Sequence, residues 1–228
     1  MNFDCFLFDL DNCLLNIPHP SEYFDNILVE TIKRLTGAPL PNRQERNKFW
    51  YSGEKYIEIL KKWGVGDLNH FWMHFDEIDF KHRKELLLKK QLTLFEDVRE
   101  ALENLFEKGK KIAIISNSAD YIVEYIVKEF NIKHFFHEIL GLGFDKDQGI
   151  AKPSPAGILS LLKKLNYDPN DSKALMTGDS ILDVYAAKRA GIDACLIKRD
   201  LNKYPKGYKE WDYQPDYVIK RLDELFDL

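Results

Sequence analysis

The chain has 228 residues, 45% of them hydrophobic and 31% charged, with a formal net charge of −4 and a pI near 5.9. That balance suits one large globular domain, or a core with a modest insertion, and excludes a disordered chain. No basic stripe or membrane-length apolar run is visible, so neither a nucleic acid nor a membrane is an expected partner. Of the three cysteines no two fall at a zinc-ligand spacing, and their odd number argues against a secreted disulfide framework.

Nothing at the start resembles a secretory leader, so the chain reads as cytoplasmic. Residues 1–15 read as a buried strand, Phe3–Phe8, that runs into a loop, because a short apolar run bounded by Asp and Asn is how a central strand looks. Residues 16–92 carry only helical patterning. Phe24, Leu28, Ile32 and Leu35 share one helical face, with Ser21 as N-cap and Gly37 just past the end. Ile57, Leu60 and Trp63 mark a second helix that stops at Gly64, and Asp67 caps a third through Phe71 and Phe75.

Residues 93–228 alternate helix and strand. Val98, Leu102 and Leu105 form an amphipathic helix ending at Gly109, followed by strand Lys111–Ile115, helix 119–129 and a strand near Ile139. Helix 156–165 precedes strand Ala174–Thr177; helix 181–190 ends at Gly191 before strand Ala194–Lys198, and Tyr217–Ile219 adds a last strand. Such alternation implies an α/β fold with a parallel sheet and helices on both faces, built from residues 1–15 and 93–228, with residues 16–92 inserted as an α-helical cap.

In a sheet of this kind, ligands bind beyond the carboxyl ends of the strands. Three polar strand ends converge there: Asp9 and Asp11, Ser116 and Asn117, and Asp179 after Gly178. The insert leaves the chain after the first of them, so it is expected to sit over that rim.

Each of these residues has an ordinary structural reading beside a chemical one. Asp9 can simply open a turn, yet side chains at i and i+2 of an extended segment point the same way. Asp9 and Asp11 can therefore face one ligand, one as a nucleophile toward phosphorus and the other as proton donor. Ser116 and Asn117 can cap a helix, and can equally hold phosphate oxygens at its N-terminus. Lys152, in Ala-Lys-Pro-Ser-Pro, sits in a loop stiffened by two prolines and can present a cation to a phosphoryl group. Asp183 can close a capping box with Ser180, while Asp179 and Asp183 also supply the oxygen ligands that Mg2+ prefers. Four carboxylates gathered at one rim repel one another. Lys152 offsets one charge, and a divalent cation offsets two more.

Asp9-Leu-Asp-Asn-Cys-Leu, Ile-Ser-Asn-Ser, Lys152-Pro and Gly-Asp-Ser-Ile-Leu-Asp resemble the four ordered motifs of the haloacid dehalogenase-like hydrolase superfamily, in its helical-cap, phosphoglycolate phosphatase-like form. The resemblance implies a Rossmann-like core and a Mg2+-dependent hydrolase of small phosphate monoesters that works through an aspartyl-phosphate. It implies Asp9 as nucleophile, Asp11 as general acid and base, and Ser116, Asn117 and Lys152 as phosphate holders. The Mg2+ ligands would be Asp9, the main-chain carbonyl of Asp11, and Asp179, with Asp183 nearby. The substrate would be a small phosphorylated metabolite and the protein a monomer or homodimer. One departure stands out: Cys13 replaces the usual Thr, and a thiol is the weaker hydrogen bonder.

Other readings of the same motifs are a 2-haloacid dehalogenase, a phosphomutase, a phosphonatase, or a non-catalytic binding protein on this fold. In a dehalogenase, Asp11 and the Asp179/Asp183 pair would have little purpose, because halide leaves without a proton. A phosphonatase would need a cap lysine able to form a Schiff base. His70 and His74 share a helix at metal-ligand spacing but lack an obvious third ligand. His134 and His137 read as part of a strand and its edge. The aromatic residues Phe71, Trp72 and Phe75 read as cap core, while Trp50 and Tyr51 stay open between packing and ligand contact.

Overall fold

Four consecutive apolar residues make the first strand, β1 (Cys5–Phe8), and all four are buried, as expected for a strand covered on both faces of a parallel sheet. The computed structural model describes residues 3–50, 52, 55–143, 148–200, 203–204 and 207–228; Tyr51 lies outside them. After β1 come β2 (Leu15–Asn16), α1 (Pro20–Leu35), α2 (Arg43–Phe49), α3 (Tyr56–Lys62), α4 (Leu68–Leu88) and β3 (Thr93–Leu94). There follow α5 (Val98–Glu107), β4 (Lys111–Ala119), α6 (Asp120–Glu129), β5 (Glu138–Leu142) and α7 (Ala156–Lys164). The chain closes with β6 (Ala174–Gly178), α8 (Ile181–Ala190), β7 (Asp193–Ile197), β8 (Tyr217–Ile219) and a 3-10 turn at Leu222–Asp227. Two compact units result: residues 1–16 with 94–228, and residues 17–93.

The first unit is an α/β fold of the Rossmann-like kind. Its sheet has the order β5-β4-β1-β6-β7-β8, and every neighbouring pair is parallel. Cys5, Leu7, Ala113, Ile115, Met176 and Leu196 pack with Ile158, Leu161, Val184 and Ala187 from α7 and α8. Alternation sends Phe6, Phe8, Ile112 and Ile114 to the opposite face, where they are just as buried. β1 is central, so its carboxyl end opens where the chain order changes direction, the usual place for a ligand in such a sheet.

β4 runs on to Ala119 rather than stopping at Ile115, with a register shift against β5 between those residues. Helix α6 therefore begins at Asp120 behind Ala119, and Ser116 and Asn117 do not cap it. Gly141 on β5 permits the tight junction: a Cβ there would lie 2.5 Å from the Asp120 Cα. His134 sits in a 3-10 turn, not a strand, with its ring 4.0 Å from that of Phe135. His137 just precedes β5 and its main-chain N–H donates to the Ile112 carbonyl at 2.8 Å.

The second unit is helical. Asp67 caps α4 by accepting the Asn69 and His70 N–H groups at 2.8 and 3.2 Å. Helix α1 is not capped by Ser21: it starts at Pro20, behind His19 in a left-handed conformation, because proline fits the first helical position where no N–H is required. Sequence periodicity also misses α2, whose signature is the Asn42–Glu45 capping box at 3.1 Å in both directions. Phe49 anchors the core against Trp63, Phe71 and Trp72, and Trp50 packs on Phe24 and Phe75. Two buried acids are paired: Asp25 with Arg46 through two 2.7 Å bonds, and Asp79 with Arg83 at 2.9 Å and the Tyr23 hydroxyl at 2.6 Å. His70 and His74 stack at 5.9 Å, His74 bonds Glu77 at 3.1 Å, and neither belongs to a metal-type cluster among the described residues.

Candidate active site

Asp9 is the first residue after β1, and its N–H continues the sheet by donating to the Thr177 carbonyl at 2.9 Å. One of its carboxylate oxygens, Oδ1, takes the Lys152 ammonium at 2.5 Å. The other, Oδ2, has no hydrogen-bond partner among the described residues. Lys152 reaches in from the loop before α7 and spends its three protons on Asp9, on Asp183 at 2.6 Å and on the Ile115 carbonyl at 2.9 Å. Its side chain is 3% exposed, so this ammonium is a fixed internal charge.

Asn117 holds the other end of that lysine. Its carboxamide nitrogen donates to the Lys152 carbonyl at 2.8 Å, and its carboxamide oxygen accepts the Lys152 N–H at 2.8 Å. Ser116 is buried, with its hydroxyl oxygen accepting the Ser118 N–H at 3.1 Å, so the hydroxyl proton remains able to donate. The Ser118 hydroxyl in turn donates to the Asp11 carboxylate at 2.7 Å.

Gly178 ends β6, and a Cβ at that position would overlap the Asp183 side chain. The missing side chain lets the first turn of α8 fold back on the strand end. Asp183 accepts the Ser180 N–H at 3.0 Å and the Ser180 hydroxyl at 2.5 Å on one oxygen, and Lys152 on the other. Asp183 thus closes the helix start, as its capping-box reading expects, and also holds the lysine. Asp9, Asp179 and Asp183 each bring one carboxylate oxygen within 4.8 Å of the others, and all three are buried. The Asp11 side chain is not part of that cluster.

The electrostatics follow from the packing. Burial pushes Asp9 well above the usual carboxylate range, Lys152 pulls it back, and the negative charges of Asp183, Asp179 and Asp11 push it further up. Asp179 is raised by burial against the opposing pull of Lys203. Burial alone would lower Lys152, but Asp183 and Asp9 more than offset it and hold the ammonium above its ordinary value. These carboxylates are short of positive charge, and an all-oxygen, buried set of this kind fits a hard divalent cation such as Mg2+.

Three contributors were not expected from the sequence. Lys203 lies 2.5 Å from Asp179. Ser118 orients Asp11. Arg199, after β7, donates through Nε and Nη2 to the Cys13 carbonyl at 3.2 and 3.0 Å. Its Nη1 meets Asp97 at 2.8 Å, and Asp97 also accepts the Leu222 N–H at 2.6 Å. The guanidinium stacks 4.1 Å over Phe95. The Cys13 thiol keeps a long contact to the Thr177 carbonyl at 3.5 Å, so in this chain the loop after Asp9 is held mainly by its own main chain and by Arg199.

Comparisons with known proteins show the family and the fold. A family model described as haloacid dehalogenase-like hydrolase matches residues 6–197. The pyrophosphatase PpaX of Listeria welshimeri is 26% identical over 222 residues, covering 96% of this chain and 93% of its own length. The (S)-2-haloacid dehalogenase 2 of a Pseudomonas species is 30% identical over 134 residues, covering 59% of this chain and 55% of its own. Among solved structures, an Asp-to-Asn variant of CbbY from Rhodobacter sphaeroides, in complex with xylulose-1,5-bisphosphate, superposes with a TM-score of 0.73 at 19% identity, covering 98% of this chain and 96% of its own. A Lactobacillus plantarum structure provisionally named as a phosphoglycolate phosphatase gives the same TM-score of 0.73 at 17% identity, over 100% and 99% of the two chains.

Proposed function

The chain belongs to the haloacid dehalogenase-like hydrolase family, and within it we propose that this protein is a Mg2+-dependent phosphatase of small phosphate monoesters that forms an aspartyl-phosphate on Asp9. The observation that carries the reading is the division of labour at Asp9: one oxygen is fixed by Lys152, and the other has no protein partner among the described residues. A carboxylate held in this way is oriented as a nucleophile.

The phosphoryl group would lie between Asp9, the Ser116 hydroxyl and the Lys152 ammonium, whose charge offsets that of the phosphate oxygens. Asp9 Oδ2 attacks phosphorus while Asp11 gives a proton to the departing oxygen. Asp11, now a carboxylate steadied by Ser118, then takes a proton from the water that hydrolyses the acyl phosphate. Asn117 serves Lys152 rather than the substrate through its side chain. Asp9, Asp179 and the main-chain carbonyl of Asp11 would hold Mg2+, with Asp183 beside them. Once bound, the ion supplies the positive charge that lets these carboxylates and a phosphate dianion share one site.

The phosphatase relatives support the substrate class: PpaX and the Lactobacillus structure bear phosphatase names, and CbbY holds a sugar bisphosphate. Residues 17–93 are the region we assign to substrate choice, as a cap. A cytoplasmic location belongs to the same proposal; no helix among the described residues is long and apolar enough to cross a membrane. The dehalogenase relative supports a second reading, since that chemistry also uses an aspartate ester. A halide departs without a proton, however, so that reading leaves the Ser118–Asp11 pair and the Asp179 cluster without a task.

A panel of phosphorylated small molecules assayed with Mg2+ and with EDTA tests the proposal. Release of inorganic phosphate that needs the metal and vanishes in Asp9→Asn is the expected result. Release of halide from a 2-haloacid, with no phosphate released from any member of the panel, would overturn it.

A further inference from the structure

Lys203 is absent from the four sequence motifs, yet its ammonium sits 2.5 Å from Asp179 Oδ2. The contact differs from an ordinary surface ion pair. The Asp179 side chain is 9% exposed and that of Lys203 28%. The neighbouring residue is anchored on both sides: the Tyr204 hydroxyl accepts the Ile181 N–H at the start of α8 at 3.1 Å, and its ring meets Trp211 edge to face at 4.8 Å. Trp211 in turn packs on the sheet core. The backbone that carries Lys203 is thus tied to the same helix start that positions Asp183.

Two ammonium groups therefore serve the acidic cluster, each on different carboxylates. Lys152 bridges Asp9 and Asp183, and Lys203 covers Asp179. Only the first is suited to the phosphoryl group, because it contacts the nucleophile itself. The second contacts the carboxylate assigned to the metal, where a cation is already the expected occupant.

We propose that Lys203 is an internal counter-cation that competes with the divalent metal for Asp179 and so sets the metal affinity of the site. This rests on the metal-dependent reading above. A divalent ion approaching Asp179 must share that carboxylate with an ammonium or displace it, and like charges a few ångströms apart in a partly buried site oppose one another strongly. The chain therefore has its own means of neutralising Asp179, at the expense of weaker metal binding. Removing the ammonium should tighten the metal and loosen the metal-free protein, the reverse of what deleting a metal-site ligand would do.

Calorimetric titration of Mg2+, and of Mn2+ as a second probe, into chelator-stripped protein tests this without any substrate. Lys203→Met is expected to bind at least fivefold more tightly than wild type, while Lys203→Arg, which keeps the charge, stays within about twofold. Metal-free Lys203→Met is also expected to melt lower than wild type, because Asp179 loses its buried partner, and to gain more on adding metal. Unchanged or weaker affinity in a Lys203→Met protein that remains folded by circular dichroism would overturn the assignment. If that variant does not fold, the Lys203→Gln variant answers the same question, with the same two outcomes. A wild-type protein that binds neither ion would overturn this inference together with the metal-dependent reading, whereas a wild type that binds and a variant that binds no better overturns this inference alone.

Discussion

Replacing Lys152 by methionine keeps most of the side chain's length and removes its charge. Three acceptors each lose a hydrogen-bond donor: Asp9, Asp183 and the Ile115 carbonyl. Removing one partner from a buried ion pair costs about 3–5 kcal/mol, a change of two to more than three powers of ten in the folding constant. For a chain of this size about 2–4 °C is lost per kcal/mol, so the midpoint of metal-free protein should fall by roughly 6–20 °C. The loss should also depend on pH, with a definite sign. Lys152 is raised above its ordinary value in the folded state, so its stabilising contribution is fully present below the unfolded-lysine pKa of about 10.4 and is undiminished at neutral pH. Asp9 is already pushed up by burial with Lys152 opposing it, and goes higher once the lysine is gone. A carboxyl whose folded pKa exceeds its unfolded value destabilises the protein fully above the folded pKa, and that penalty shrinks as pH falls through the folded pKa and is gone below the unfolded value. The gap between wild type and Lys152→Met should therefore be widest near neutrality and narrow on acidification. Thermal and urea unfolding in chelator at several pH values measures it. A gap below about 1 kcal/mol, or one that widens as pH falls, would refute the fixed internal charge.

If Asn117 acts through Lys152, Asn117→Ala should lower kcat/KM by roughly 10- to 100-fold in the wild-type background but alter the residual rate of Lys152→Met by less than about twofold. Multiplicative losses would mean that its side chain touches the substrate. Asp97 is raised by burial, but Arg199 and the Leu222 N–H prevail and leave it below its usual value; its stabilisation is therefore present above about pH 3.9 and lost as pH falls from there through the folded value. Urea midpoints from pH 3 to 7 should show Asp97→Asn less stable at neutrality with a flatter acid limb, and parallel curves would contradict the pairing. Asp11→Asn should lose more activity on an alkyl phosphate than on an activated aryl phosphate, whose leaving group needs the proton less; equal losses would remove Asp11 from the role of acid.

The core was readable because a parallel sheet announces itself through short apolar runs that end in polar residues. Cys5–Phe8 ends at Asp9 and Ala174–Gly178 at Asp179, and the fold brings both ends to the same cluster. What the sequence hid was partnership across long separations. Asn117 looked like a helix cap or a phosphate ligand, and nothing local shows that its carboxamide matches the main chain of Lys152. Lys203 and Arg199 follow β7, one more strand end on the same rim, but in a stretch rich in charged residues a lysine has no distinguishing pattern. The α2 helix is short and lacks a strong apolar stripe, so only its Asn42–Glu45 box signals it. The extension of β4 to Ala119 depends on the close approach permitted by Gly141, which is a property of the packed sheet.

The central claim is that Asp9 carries the phosphoryl group, and trapping that group tests it directly. Protein mixed with Mg2+ and a phosphate ester that it turns over, then quenched in acid within milliseconds and digested, should yield a peptide containing Asp9 that is heavier by one phosphoryl group, with the modification accumulating in Asp11→Asn and absent from Asp9→Asn. A phosphoryl group on any other residue, or turnover persisting in Asp9→Asn, would contradict the account.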